Sequence, residues 1–184
     1  MAKANGDVVD ILKQQHTQIR RAFRRAAVPG PFRRRAFRDL VRLLAIHEAA
    51  EEAHVHPAAR RALPGGKALA AARRHEEKEA KKLLTRLWRI GPHGEGYLPA
   101  LLKLRRAVLA HAAREEREEF EVLRRKVSAP RRRLLGIEVR LAQKVAPTRP
   151  HRLINNELTN KLAAPLFGPL DRGLDRLQRA RSRG

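Results

Sequence analysis

His47-Glu48-Ala49-Ala50-Glu51 sets an imidazole and a carboxylate four residues apart. The spacing returns in His75-Glu76-Glu77-Lys78-Glu79 and in His111-Ala112-Ala113-Arg114-Glu115. On a helix, residues i and i+4 share a face. Eight histidines and fourteen glutamates in 184 positions supply about 0.6 such pairs by chance, so three point to a common purpose. The surroundings of each pair are helical in pattern. The first helical stretch opens at Asp7, a good N-cap, carries Val8, Ile11, Leu12, Ile19 and Phe23, and stops before Val28-Pro29-Gly30-Pro31. The second runs from about Phe32 through Phe37, Leu40, Val41 and Leu44 to Leu63-Pro64-Gly65-Gly66, with Pro57 expected to kink it. The third runs from near Lys67 to Trp88 and ends in Gly91-Pro92-His93-Gly94-Glu95-Gly96. The fourth starts near Pro99, a favoured first-turn residue, and passes Phe120 to Val127.

Four amphipathic helices joined by short loops predict an all-α fold, an antiparallel four-helix bundle over residues 1–127. Residues 128–184 differ. Four acids face thirteen basic residues there, and five prolines punctuate the stretch. It reads as a basic helical C-terminal extension, with one helix from Pro130 to about Val145. Leu158, Leu162, Leu166, Leu170, Leu174 and Leu177 form a stripe that must cover the bundle or a second subunit, which makes a dimer one expected use.

Composition narrows the function classes. With no cysteine, disulfides, thiolate zinc sites, iron–sulfur clusters and cysteine nucleophiles are excluded. No apolar run approaches the roughly 20 residues that span a bilayer, and no signal-peptide core follows Met1, so a soluble, cytoplasmic protein is expected. Forty-two Lys and Arg against nineteen Asp and Glu give a net charge of +23. Such a surface attracts polyanions non-specifically, but no zinc finger, basic zipper or aromatic RNA-binding motif accompanies it.

Register brings the imidazoles together. Around a turn near Gly30, His16 lies 14 residues back and His47 17 on, a mismatch of about 4.5 Å at helical rise. The same reasoning sets Glu51 and His75 level around Pro64, and His75 and Glu79 level with His111 around Gly94. Imidazoles and carboxylates converging inside a bundle suit a transition metal. Without one, each buried polar group needs another partner.

The ordered set of His16, His47-Glu48-Ala49-Ala50-Glu51-Glu52, His75-Glu76-Glu77-Lys78-Glu79 and His111-Ala112-Ala113-Arg114-Glu115-Glu116 resembles the hemerythrin-like (HHE cation-binding) family. The resemblance covers residues 7 to about 127. It implies a four-helix bundle holding two non-haem iron ions, oxo- or hydroxo-bridged, with His16, His47, His75 and His111 as terminal ligands and Glu51 and Glu115 bridging. Oxygen-carrying hemerythrins are similar except for a third-helix H-x-x-x-H, whose second histidine falls here at Glu79. Glu79 is therefore either a ligand or a supporting or surface acid, and Glu116 rivals Glu115. Carboxylate in place of imidazole favours the ferric state. The implied function is binding or redox processing of a small oxidant or gas ligand (O2, peroxide or NO), as a sensor or an oxidoreductase rather than a reversible O2 carrier. The alternative is a basic helical protein that binds nucleic acid or an anionic surface, its metal site structural or regulatory. Glu48, His54 and His56 are candidate supporting residues, His56 only if the Pro57 kink turns it inward. Glu52 and Glu119 are expected to lie outside the centre, and Trp88 in the core.

Overall fold

The computed structural model describes residues 6–62 and 65–145; the leucine stripe over residues 158–177 lies outside them. The described residues are helical between their turns and contain no strand. Four spans run antiparallel. The first is α1 (Val8–Ala27). The second joins α2 (Arg33–Ala50), a π-helical segment at Glu51–Val55 and α3 (His56–Ala62). The third is α4 (Gly66–Ile90). The fourth joins α5 (Tyr97–Glu115), a second π-helical segment at Glu116–Phe120 and α6 (Glu121–Lys126). A further helix, α7 (Ala129–Val145), packs against α1 and α2.

Local chemistry sets these boundaries. Asp7 caps α1, its carboxylate accepting from the Val9 N–H at 3.0 Å, which satisfies one of the unpaired first-turn donors. α4 ends at Gly91, whose positive φ of 73° is open to glycine because it has no Cβ. At the same end of the bundle Arg33 donates to the carbonyls of Ala27, Val28 and Pro92, tying the α1–α2 and α4–α5 loops together. The expected helix beyond Pro130 is α7. Its Leu135 and Val139 are fully buried beside Val8, Val9 and Leu12. Gly136 permits the approach, since a Cβ there would meet the Gly6 carbonyl oxygen at 2.0 Å.

The core has two apolar parts. One holds Val8, Leu12, Val55, Phe120, Leu123, Leu135 and Val139. The other, toward the two tied loops, holds Ile19, Phe23, Phe37, Leu40, Leu87, Tyr97, Leu101 and Leu104. Tyr97 donates its hydroxyl to the Ala26 carbonyl at 3.2 Å, and Trp88 packs on Phe37 with centroids 5.7 Å apart. On α1 the two parts are separated by one turn, the turn that carries Gln15 and His16. A polar layer interrupts the core there.

Candidate metal centre

Helix phase decides which polar side chains enter this layer. On α1, His16 lies between Leu12 and Ile19 at helical spacing and is 1% exposed. His47 and Glu51 share a face four residues apart, as do Glu115 and Glu119, and all four are buried. One ligand atom each from His16, His47, Glu51 and Glu115 falls within 4.8 Å of the others. A second group, His56, Glu115 and Glu119, meets the same limit, so Glu115 belongs to both.

Outer partners hold the imidazoles with one nitrogen turned inward. His16 Nδ1 lies 2.8 Å from Glu116 Oε1, and His47 Nδ1 lies 2.6 Å from Gln15 Oε1. Both acceptors want an Nδ1–H, which leaves each Nε2 with a lone pair. The two Nε2 atoms nevertheless face each other at 3.0 Å, an arrangement that needs a proton or a cation between them. His111 repeats the design, with Nδ1 on Glu76 Oε2 at 2.9 Å and Nε2 3.3 Å from Glu115 Oε1. Gln15, Glu76 and Glu116 thus fix ring orientation in the way that partners of metal-bound histidines do.

The carboxylates are under-satisfied. Glu51 Oε1 and both oxygens of Glu115 are buried without a well-formed hydrogen bond. Their nearest neighbours are imidazole nitrogens: His47 Nε2 3.2 Å from Glu51, and His16 Nε2 3.4 Å from Glu115. Burial raises the Glu51 carboxyl well above its usual range, and the Glu115 charge adds to that rise. Burial also pushes Glu115 upward, but the close imidazoles of His111 and His16 override it and hold Glu115 ionised and low. His47 is lowered to about 3 by burial and by His16, which keeps its ring neutral. Neutral imidazole and orphaned carboxylate oxygens directed at one point fit a cation.

The second group is organised around His56, which the structure turns inward. Its Nε2 lies 2.6 Å from Glu77 Oε1 and its Nδ1 3.2 Å from Glu119 Oε2. Burial lowers this imidazole, but Glu119 and Glu77 outweigh it and bring it up to about 10. The inward turn has a backbone cause. Pro57 offers no N–H and crowds the carbonyl four residues earlier. The chain answers with a π-helical turn, in which the His56 N–H reaches the Glu51 carbonyl five residues back. The extra residue per turn puts His56 below Glu51. Such π turns recur at functional sites.

Two of the sequence candidates are not brought to the centre. His75 and Glu79 are exposed, Glu79 pairing with Lys82 at 2.7 Å. Their height along α4 is right and their phase is wrong. The inward ladder is Ala70, Arg73, Glu77, Ala80, Leu84 and Leu87, and His75 stands two residues, about 200°, from both Arg73 and Glu77. Glu77 takes the inward position. Glu119, expected outside, is 1% exposed and part of the second group. Glu116 is not in either group and holds His16 from outside. Of the supporting candidates, Glu48 pairs with Lys81, and His54 Nδ1 lies 3.2 Å from Glu138 Oε2 on α7. Glu77 and Glu119 were missed although each had a signal: Glu77 lies on the apolar ladder of α4, and Glu119 lies one turn beyond Glu115.

Beside the centre is a cavity of about 60 Å³, more than the ~10–15 Å³ that one water needs. It is lined by His47, Glu51, Glu77 and His111, by the paired Glu48 and Lys81, and by the aliphatic side chains of Leu44, Ala80, Leu84, Leu104 and Val108.

Comparison with known proteins agrees with this geometry. The family model described as the hemerythrin HHE cation-binding domain matches residues 7–123. No curated protein matches the chain. The crystal structure of a hemerythrin HHE cation-binding domain-containing protein from Mycobacterium kansasii is similar in fold. It aligns with a TM-score of 0.67 and 22% identity, over 75% of this chain and 85% of that one. The matched residues contain the first three helical spans, the fourth as far as the start of α6, and every His and Glu of the two buried groups, so the chain belongs to the hemerythrin HHE cation-binding domain family.

Proposed function

We propose that the layer holds two iron ions and that the protein binds or redox-processes a small oxidant or gas ligand, such as O2, peroxide or NO. The observation that carries this reading is the pair of ligand groups sharing Glu115. In the first subsite the ligands are His16, His47, Glu51 and Glu115. In the second they are His56, Glu77, Glu119 and Glu115, with His111 Nε2 directed at the shared carboxylate. Imidazole nitrogen and carboxylate oxygen without thiolate suit iron. Four carboxylates offset the charge of two divalent ions.

Bound iron would supply one-electron chemistry and an open coordination position. The chain supplies the rest. Gln15 and Glu116 hold His47 and His16 with Nε2 inward. The aliphatic side chains that line the cavity give the ligand side an apolar surface, and its volume suits a ligand of a few atoms. The carboxylate enrichment that favours the ferric state, and hence oxidant chemistry or sensing over O2 carriage, comes from Glu77 and Glu119 rather than Glu79. The decisive experiment is metal analysis of protein purified without added metal, followed by exposure of the diferrous protein to air. Two irons per chain, oxidation within a few turnovers and catalytic loss of added peroxide are expected. Fewer than one iron per chain refutes the metal assignment, and oxygenation fully reversed by evacuation places the protein with the carriers.

A further inference from the structure

Among the described residues Arg73 is the largest fully buried side chain, 2% exposed, and it lies on the centre's side of α4. A buried guanidinium is costly unless each arm is paired. Here each arm is. Nε donates to Glu119 Oε1 at 3.1 Å, Nη1 to both oxygens of Glu76 at 2.8 Å, and Nη2 to Glu118 Oε2. The partners come from α4 and from the second π-helical segment, so one side chain fastens the third span to the fourth where the fourth departs from α-helical pairing.

The contacts have a direction. Glu119 gives Oε1 to Arg73 and keeps Oε2 toward His56. Glu76, held by Arg73 and by Arg114 Nε at 2.8 Å, accepts from His111 Nδ1 and so turns His111 Nε2 toward Glu115. Arg73 therefore makes no hydrogen bond or ion pair with the first group, yet it governs donors on the side of the second. We propose that Arg73 is the positioning residue of the second metal subsite: its planar fork sets Glu119 directly and His111 through Glu76. This rests on the two-metal reading above. Lysine retains the charge but not the fork, so charge alone cannot substitute.

The test is titration of the full-length, metal-free chain with Co2+, followed by visible d–d absorption and calorimetry. Wild type is expected to take up two equivalents in resolvable steps. Arg73→Lys should bind the first within about threefold of wild type. It should weaken the second by about 10–100-fold, the usual effect of removing a partner that orients a ligand. Glu118→Ala removes the partner of one arm of the clamp at a partly exposed position. It should weaken the second step in the same direction by a smaller factor, and it serves if Arg73→Lys does not fold. A merely structural Arg73 would weaken both steps alike, and that result overturns the proposal. So does an Arg73→Lys chain with both steps unchanged or the second tightened. A wild-type chain that stops at one equivalent overturns the two-metal reading, and the proposal with it.

Discussion

Replacing Glu77 and Glu79 separately by Gln distinguishes helix phase from sequence motif. Glu79 completes the His75-x-x-x-Glu79 pattern but pairs with Lys82 at the surface. Glu77 belongs to no such pattern, is 7% exposed, and lies 2.6 Å from His56 Nε2. In the metal-free chain His56 rises from 6.5 to about 10, with burial opposing and Glu119 and Glu77 prevailing. At ~1.4 kcal/mol per tenfold, that rise corresponds to roughly 5 kcal/mol, shared between two carboxylates. Neutralising Glu77 should therefore cost about 2 kcal/mol at pH 7, a drop in Tm of roughly 4–8 °C for a chain of this size. Thermal melts with chelator present measure it. Metal analysis after iron loading should give about one iron per chain for Glu77→Gln and two for Glu79→Gln, whose Tm should match wild type. Loss of iron from Glu79→Gln with full iron in Glu77→Gln would refute the phase argument.

Other predictions follow from the same layer. Glu115→Gln removes the carboxylate common to both groups, so both irons and any coupled two-iron spectrum should be lost together; retention of that spectrum would move the bridge elsewhere. Glu51 has its folded pKa raised by burial, so its ionisation destabilises the metal-free fold as pH rises above the ordinary carboxylate value. Glu51→Gln should accordingly leave the metal-free Tm at pH 7 unchanged or higher while shrinking the Tm gain on adding iron, and a lower metal-free Tm would contradict this. His56 and His111 are raised to about 10 and about 9, burial being outweighed by Glu119 and Glu77 in the first and by Glu115 and Glu76 in the second. Their stabilisation is complete below the unfolded value near 6.5 and is lost as pH rises through 9–10. Metal-free Tm should fall over pH 7–10, and the fall should flatten in His56→Gln. Leu104→Phe fills the wall of the cavity and should slow reaction with peroxide without lowering iron content.

The amino-acid pattern carried the four spans because each has an apolar stripe at helical spacing and a Pro or Gly stop. It carried His16, His47, Glu51 and Glu115 because height and phase agree for them. Height alone was used for α4, and there it failed: His75 sits level with the centre but about 200° from the Arg73–Glu77 ladder. That ladder was readable, since Ala70, Ala80, Leu84 and Leu87 define the inward face, and a glutamate among them required explanation. His56 was harder. Regular α-helical geometry turns it away from Glu51, and only the π-helical turn before Pro57 brings it round. Spacing reveals the proline, but not how the backbone will accommodate it. Arg73 was the least legible, because a single Arg in a chain with forty-two basic residues carries no sequence signal.

The polar layer also explains why binding and folding must be linked here. Two apolar cores flank a layer of imidazoles and carboxylates that the described residues do not fully pair. In the metal-free fold the Nε2 atoms of His16 and His47 face each other at 3.0 Å and Glu51 is forced toward its protonated form. Each of these costs free energy that a cation would remove, because it accepts the lone pairs and neutralises the acids at once. The unfolded chain offers no such convergence of ligands. Metal binding therefore stabilises the fold by mass action. The two groups should respond unequally. The first, held by Gln15 and Glu116, already points its nitrogens inward, whereas the second must release the His56 proton and share Glu119 with Arg73. On the two-metal reading proposed above, preorganisation should fill the first subsite before the second.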